Sequence, residues 1–212
     1  MSKKKILVTG GAGFIGYNFI LMCLKHGYEI INIDALKYSA NIEEIKKIKS
    51  KKYSFYKLNI SSSKIFNILK KNKVLKIVNF ASETHVDNSI KKPKLFFQNN
   101  CISFIDFIFN IKNYYDLLND SDKKNFKFIN VSTDEIYGSL KNNEASFTEK
   151  SIYSPQNPYS ASKLSAEMYL QSFSNTYGLP YIITNCSNNY GKHQNDEKLI
   201  PTVFRSAIKN KN

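Results

Sequence analysis

Short runs of β-branched and apolar residues alternate along the chain with longer segments in which apolar residues recur at helical spacing. The β-type runs lie at residues 5–9, 29–34, 53–59, 76–81, 127–132 and 181–185. The helical patterns lie at residues 14–25, 64–71, 94–118 and 159–177. This alternation predicts an α/β fold with a doubly wound parallel sheet and helices on both of its faces.

Size and composition agree with a packed globular chain. The 212 residues correspond to one domain or slightly more, and 42% of them are hydrophobic. No stretch approaches the roughly 18 consecutive apolar residues of a membrane span, so no membrane partner is predicted. The three cysteines are widely spaced, without histidines at metal-binding spacing. We therefore expect neither disulfides nor a metal site, and a cytoplasmic location.

The formal net charge of +14 raises the question of an anionic partner. The lysines are dispersed, mostly as pairs, and the longest run (Lys3 to Lys5) is at the N-terminus. A solvated basic surface is the favoured interpretation, and attraction of anionic partners such as a nucleotide sugar remains an alternative. No clustered patch or known motif supports nucleic-acid binding.

A glycine-rich turn follows the first predicted strand. Residues 9–16 read TGGAGFIG and lead directly into the first predicted helix. Glycines in such a turn let backbone N–H groups approach a pyrophosphate, and the helix N-terminus attracts its negative charge. The motif predicts a Rossmann fold that binds a dinucleotide through Gly10, Gly13, Phe14, Ile15 and Gly16.

An acidic residue ends the second predicted strand, where the dinucleotide-binding motif requires one. Asp34 is well placed to accept hydrogen bonds from the hydroxyls of the adenosine ribose. Its charge would repel a 2′-phosphate, and Ala35 after it cannot bind one. The cofactor is therefore predicted to be NAD rather than NADP, although the nearby Lys37 leaves the choice open.

Two further segments carry potential catalytic groups. Residues 131–138 read VSTDEIYG at the end of the fifth predicted strand, and strand ends form the ligand crevice of such sheets. Tyr159 and Lys163 are four residues apart in a predicted helix and so lie on one face. A lysine ammonium beside a phenol is expected to lower its pKa from about 10, which would create a base for a sugar hydroxyl.

Together these motifs resemble the extended short-chain dehydrogenase/reductase family of NAD-dependent epimerases and dehydratases. The resemblance covers almost the whole chain and rests on residues 9–16, Asp34, and residues 80–87, 132–138, 158–163, 184–191 and 197–201. The adjacent acids Asp134 and Glu135 resemble those of family members that dehydrate dTDP-glucose or UDP-glucose. Two neighbouring carboxyls can divide the roles of acid and base between them.

The resemblance implies a catalytic role for each of five residues. Tyr159 would remove the proton from O4 of the sugar, while Lys163 would lower its pKa and hold the cofactor ribose. Thr133 would hydrogen-bond near O4. Glu135 would take the C5 proton and Asp134 would protonate the departing C6 oxygen. The reaction is the conversion of a nucleotide-diphosphate glucose to its 4-keto-6-deoxy sugar.

The resemblance also assigns binding residues. Asn59, Ile60 and Ala81 are expected to contact NAD, together with Tyr159 and Lys163. The residues expected to line the substrate site are Thr84, His85, Asn188, Glu197, Lys198 and Leu199.

The chain departs from the family pattern at several positions. Asn59 stands where an aspartate is usual, Asn99 replaces a frequent threonine, and Asn88 a frequent arginine. Residues 35–41 lack the common lysine after the aspartate and the glycine before the asparagine. These differences bear on cofactor affinity and on the identity of the sugar nucleotide more than on the type of reaction.

The resemblance implies a domain organisation and a partner. Residues 1–190 are expected to form the NAD-binding domain and residues 191–212 to begin the substrate-binding region, with the smaller C-terminal domain largely missing. Isolated, the 212-residue chain is expected to fold and turn over substrate poorly. Helices at 94–118 and 159–177 are expected to form a homodimer interface. A different sugar-nucleotide epimerase or dehydratase, or a non-catalytic NAD-binding Rossmann fragment, remains an alternative.

Overall fold

The computed structural model describes residues 4–209. Its strands are β1 (Lys5–Thr9), β2 (Glu29–Asp34), β3 (Tyr53–Lys57), β4 (Lys76–Asn79), β5 (Lys127–Thr133) and β6 (Ile182–Cys186). Its helices are α1 (Phe14–Lys25), α2 (Ile42–Lys46), α3 (Lys64–Asn72), α4 (Val86–Lys91), α5 (Pro93–Phe97), α6 (Ser103–Asp116), α7 (Asp120–Asn125), α8 (Pro158–Tyr177) and α9 (Leu199–Ile208). A π-helical turn, Gln98–Ile102, joins α5 to α6, and a 3-10 turn, Asp134–Tyr137, follows β5.

The strands form one parallel sheet in the order β3-β2-β1-β4-β5-β6. This is the doubly wound Rossmann topology, in which the strand order reverses between β1 and β4 and opens a crevice at their carboxyl ends. The predicted fold class is therefore confirmed.

Alternating side chains on the strands divide the core between the two faces of the sheet. Leu7 packs into the larger cluster, under α3, α6 and α8, while Val8 packs into the cluster under α1. The same alternation recurs in β4, where Ile77 faces the first cluster and Val78 the second. Because both faces are covered, these strands read in the sequence as nearly continuous apolar runs.

A chain of buried polar side chains crosses the central strands. Thr9, Asn79 and Asn130 are register partners on β1, β4 and β5 and are at most 1% exposed. The Thr9 hydroxyl donates to Asn79, whose amide donates to Asn130 at 2.8 Å. Each residue thus satisfies part of its neighbour's hydrogen-bonding capacity, which keeps polar groups tolerable in the core.

Element boundaries differ from the sequence prediction where strands end at the crevice. β3 ends at Lys57 and β4 at Asn79, each two residues before the predicted end, because the chain there leaves the sheet to line the cavity. The predicted helix at 94–118 is divided by the π-helical turn and ends at Asp116. The helices α2, α4 and α7 were not predicted, since each has only five or six residues.

The last described strand is β6, and α9 follows after a loop. The division into residues 1–190 and 191–212 stays a prediction. In residues 4–209 no helix combines the length and the apolar character that crossing a membrane requires.

Candidate active site at the carboxyl edge of the sheet

The carboxyl ends of the strands enclose a cavity of about 590 Å³, a size typical of small-molecule sites. Of the residues predicted for the site, only Asp134 is not on its lining. The others all line it: Gly10, Gly13, Phe14, Ile15, Gly16, Asp34, Asn59, Ile60, Ala81, Thr84, His85, Thr133, Glu135, Tyr159, Lys163, Asn188, Glu197, Lys198 and Leu199. Residues from at least six separate segments thus converge on one space.

The glycine turn forms the floor of the cavity between β1 and α1. Gly10 has a φ of +69°, and a Cβ placed on it would lie 2.5 Å from the backbone nitrogen of Ala81. A Cβ on Gly16 would collide with the carbonyl oxygen of Gly10. The turn therefore accepts only glycine at these positions. α1 begins after Gly13 with no acidic residue in its first turn, so its N-terminus offers positive potential to an anion.

Asp34 ends β2 at one end of the cavity and is fixed by the backbone. Its Oδ2 accepts the N–H of Ala12 at 2.9 Å, and its Oδ1 accepts the N–H of Leu36 at 2.7 Å. Burial raises the pKa of this carboxyl, while the two N–H groups and the charge of Lys37 oppose the rise. Each oxygen keeps a lone pair available for a ribose hydroxyl.

The segment after β5 places Thr133 and Glu135 on the opposite wall. The Thr133 hydroxyl caps the 3-10 turn by accepting the N–H of Glu135 at 3.3 Å. Asn157, directly before α8, donates to Glu135 Oε2 at 3.2 Å. The Asp134 carboxyl lies beside this wall, 3.5 Å from the Thr133 hydroxyl. One of the two neighbouring acids therefore faces the cavity and the other does not.

Tyr159 enters the cavity from the first turn of α8. This helix begins at a capping box formed by Asn157 and Ser160, with Pro158 at its first position, so the tyrosine is held by a well-defined helix start. The side chain is 7% exposed, and its ring meets that of Phe96 edge-on at 6.4 Å between centroids. The first turn of α8 thus fixes the phenol against the end of β5.

The pKa of Tyr159 differs from the sequence prediction. Burial raises it above 10, a hydrogen bond with Thr133 opposes the rise, and the charge of Glu135 adds to it. Lys163 is not among the groups that act on this pKa in the present arrangement, so the lowering that it was predicted to cause stays a prediction. The Lys163 ammonium instead donates to the carbonyl oxygen of Val131 at 2.9 Å.

Lys163 is itself strongly perturbed. Burial lowers its pKa from 10.5 to about 8, and the charge of Glu167, one helical turn further along α8, acts against that lowering. Glu167 is 2% exposed, and its Oε1 accepts the Asn185 amide at 2.9 Å. That amide also donates to the carbonyl oxygen of Thr133 at 3.2 Å. Glu167 thus acts on Lys163 through its charge, and it is linked to the end of β5 through the amide of Asn185.

The depressed pKa of Lys163 gives a pH-dependent contribution to stability. Between pH 8 and 10.5 the unfolded lysine holds a proton that the folded one has lost, so stability increases with pH in this window. Relative to Lys163→Met, the wild-type chain is expected to gain about 2 kcal/mol of unfolding free energy between pH 8 and 9.5. Urea denaturation of both chains at the two pH values measures this difference. A difference that does not change with pH would contradict the lowered pKa.

The predicted substrate residues lie together on the outer side of the cavity. His85 caps α4, and its Nε2 is 3.8 Å from Glu197 Oε2. Lys198 Nζ donates to the carbonyl oxygen of Thr84 at 3.4 Å. Asn188 and Leu199 complete this side. Contacts thus join the 84–85 and 197–198 segments on the cavity lining, although these segments lie more than a hundred residues apart.

The sequence did not single out several residues that hold the site in place. Asn157 fixes Glu135, Asn185 bridges Glu167 and Thr133, and Glu83 binds Lys37 on the cavity wall. Only Asn157 had a detectable local signal, an N-cap asparagine followed by proline. The other contacts join residues that are distant in sequence, so no local pattern reports them.

The topology and the cavity define a Rossmann protein of the extended short-chain dehydrogenase/reductase class. Comparison with known families then places it more closely, because residues 7–212 match the family described as GDP-mannose 4,6 dehydratase. The chain belongs to this family.

Individual relatives agree with that placement. The chain is 42% identical over 209 residues to a dTDP-glucose 4,6-dehydratase from Haemophilus influenzae, covering 97% of this chain and 62% of the relative. Among solved structures, the dTDP-glucose 4,6-dehydratase of Bacillus anthracis in complex with NAD has 41% identity and a TM-score of 0.84. That comparison covers 98% of this chain and 62% of the other. The enzyme of Streptomyces venezuelae with NAD bound has 32% identity, a TM-score of 0.86, and coverage of 97% and 62%. The chain thus spans about three fifths of the length of the relatives it matches.

Proposed function

We propose that the chain binds NAD in the cavity and that the protein containing it dehydrates a nucleotide-diphosphate glucose, dTDP-glucose first, to the 4-keto-6-deoxy sugar. The observation that carries the proposal is the meeting of two sets of residues in one cavity. The glycine turn and Asp34 form one end, and Thr133, Glu135 and Tyr159 form the opposite wall. The solved relatives named above are NAD complexes, which supports the same cofactor here.

The residues at the first end fit a dinucleotide. At Gly10 and Gly16 the missing side chains allow the close backbone approach that builds the turn, and the N-terminus of α1 offers its partial positive charge to a pyrophosphate. Asp34 Oδ1 and Oδ2 can each accept a ribose hydroxyl. Bound there, NAD would supply the hydride acceptor for C4 and return the hydride to C6.

The chain's own residues carry the proton transfers of the proposed reaction. Tyr159 takes the proton from O4 as C4 is oxidised, which makes the C5 proton acidic. Glu135 takes that proton, and the C6 hydroxyl leaves as water after protonation by Asp134. Because Asp134 lies beside the wall and not on the cavity lining, its role requires a side-chain movement when substrate binds. The proton held by Glu135 would then return to C5 as the hydride that left C4 is added to C6. The O4 proton taken by Tyr159 makes up for the proton that Asp134 gave, so the net change is the loss of water.

Lys163 supports the first step through its charge. Its pKa of about 8 leaves it largely protonated at neutral pH, and a positive charge in the same cavity favours the phenolate of Tyr159. In the present geometry Lys163 is bound to Val131, so binding of cofactor and substrate must bring the two groups together for this effect. This movement would break the hydrogen bond from Lys163 to the carbonyl oxygen of Val131.

The test of the proposal compares the 212-residue chain with the protein that the complete reading frame encodes. Both are incubated with NAD and dTDP-glucose, and with UDP-glucose in parallel, and the alkali-shifted absorbance of a 4-keto-6-deoxy sugar is followed. Formation of the 4-keto-6-deoxy sugar by the protein from the complete reading frame supports the proposed dehydratase activity. A 4-epimer without that absorbance supports an epimerase. Binding of NAD with no product from either chain supports a non-catalytic NAD-binding protein.

We also propose a homodimer formed through α6 and α8. Both helices expose apolar side chains to solvent, including Phe109 at 51%, Met168 at 37% and Tyr169 at 47%. Sedimentation equilibrium should give about twice the 24.4 kDa mass of the chain, and Phe109→Glu should reduce it to the monomer mass. A wild-type chain that sediments as a monomer at high concentration overturns the proposed dimer.

The setting of this function is proposed to be the cytoplasm, without nucleic acid as a partner. Cys23 and Cys101 are free and buried, which suits a reducing compartment. The anion that the basic charge of the chain would attract is the nucleotide sugar.

A further inference from the structure

A lysine lies beside the end of the cavity where the adenosine ribose is proposed to bind. Lys37 lines the cavity three residues after Asp34, and its charge opposes the rise in pKa that burial causes in that aspartate. In Rossmann proteins that use NADP, a basic side chain near the end of this strand accommodates the 2′-phosphate. The discrimination between the two cofactors therefore depends on whether Lys37 is available.

Glu83 forms an ion pair with the ammonium group of Lys37. Lys37 Nζ lies 3.1 Å from Glu83 Oε1, and the Asn99 amide donates to the same oxygen, also at 3.1 Å. The Glu83 side chain is 8% exposed and that of Lys37 is 39% exposed. Glu83 is thus buried in the cavity wall, and the ion pair holds Lys37 against this wall.

The backbone of Glu83 is held rigidly. Its N–H donates to Asn100 Oδ1 at 2.8 Å, and the Asn100 amide donates back to the Glu83 carbonyl oxygen at 3.0 Å. The same amide reaches Ser162 Oγ at 2.9 Å, which ties the arrangement to α8. Asn99 and Asn100 both lie in the π-helical turn, so this irregular turn delivers both contacts. The backbone of Glu83 is thus fixed in the cavity wall, and Asn99 also holds its carboxylate there.

We propose that Glu83 determines the cofactor specificity of the site, because it holds Lys37 in an ion pair and so withholds from a 2′-phosphate the cation that would bind it. This inference rests on the proposed NAD site. A 2′-phosphate would meet the negative charges of Asp34 and Glu83, while Lys37 could reach it only by leaving Glu83 unpaired and buried. Removing the cation would leave the buried Glu83 carboxylate held only by the Asn99 amide, which is unfavourable.

The test measures dissociation constants of NAD and NADP for four chains by isothermal titration calorimetry: wild type, Glu83→Gln, Lys37→Met and the double variant. In Glu83→Gln the lysine is released, and NADP affinity relative to NAD is expected to increase about tenfold, the value of one charge-assisted hydrogen bond. In Lys37→Met the ratio of NADP affinity to NAD affinity is expected to stay within about twofold of wild type, because in the wild type the ammonium group is already paired with Glu83. In the double variant the gain should disappear.

Each other outcome has a defined meaning. A gain that persists in the double variant shows that loss of the Glu83 charge, and not release of Lys37, favours NADP, which overturns the proposal. An unchanged ratio in Glu83→Gln overturns it as well. If Glu83→Gln does not fold, Lys37→Met decides, since a tenfold loss of NADP affinity there would show that Lys37 already serves the phosphate. A wild-type chain that binds neither cofactor refutes the proposed function instead. Glu144→Gln, in the exposed loop before α8, is the matched control for loss of one carboxylate.

Discussion

In the protein that the complete reading frame encodes, Tyr159→Phe is expected to lower kcat for dTDP-glucose dehydration by roughly 100-fold to 10,000-fold, the usual contribution of a general base. The phenol is the group on the cavity wall proposed to take the O4 proton, and its ring packs edge-on against Phe96. Phenylalanine keeps that packing and removes only the hydroxyl. The melting temperature should therefore remain close to wild type, and NAD affinity should fall far less than kcat.

Tyr153→Phe is the matched control for that variant. Tyr153 is 41% exposed and stacks on Tyr137 outside the cavity lining, so loss of its hydroxyl should leave kcat unchanged. The kcat of both variants is measured by steady-state kinetics with dTDP-glucose and with UDP-glucose, and their NAD affinity is measured by titration. A Tyr159→Phe enzyme that retains a kcat within tenfold of wild type would exclude this residue as the base.

Gly10→Ala is expected to remove NAD binding and to lower the free energy of unfolding by about 3 kcal/mol or more. Two costs combine at this position. A side chain is strained at a φ of +69°, and the added Cβ would lie 2.5 Å from the backbone nitrogen of Ala81. Since the obstructing atoms belong to the backbone after β4, relief requires the floor of the cavity to move.

Gly178→Ala separates these two costs. Gly178 ends α8 with a φ of +66°, but nothing lies within 4 Å of the position of its Cβ. This variant should lose only the conformational part, about 1 kcal/mol, and should bind NAD normally. Urea denaturation and NAD titration of both variants provide the comparison. Equal losses of stability would mean that the close approach of Gly10 to Ala81 contributes nothing.

The site could be predicted from the sequence where its residues act through local geometry. The turn at residues 9–16 lies at the start of α1, Asp34 ends β2, and Tyr159 and Lys163 share one face of α8, as their spacing predicted. The structure brings them to one cavity. The pKa of Tyr159 could not be predicted this way, because burial and Glu135 act on it from outside its own helix.

The sequence by itself determined the alternation of the six strands with the longer helices, the fold class and the position of the glycine turn, because these depend on periodicity and on neighbours within a few residues. Only the tertiary structure decided which acid of the 134–135 pair faces the cavity, and where the ammonium groups of Lys37 and Lys163 are directed. Lys37 meets Glu83 across 46 residues, and Lys163 meets Val131 across 32. Such contacts depend on how the sheet and its helices pack, and packing leaves no periodic signal in the sequence.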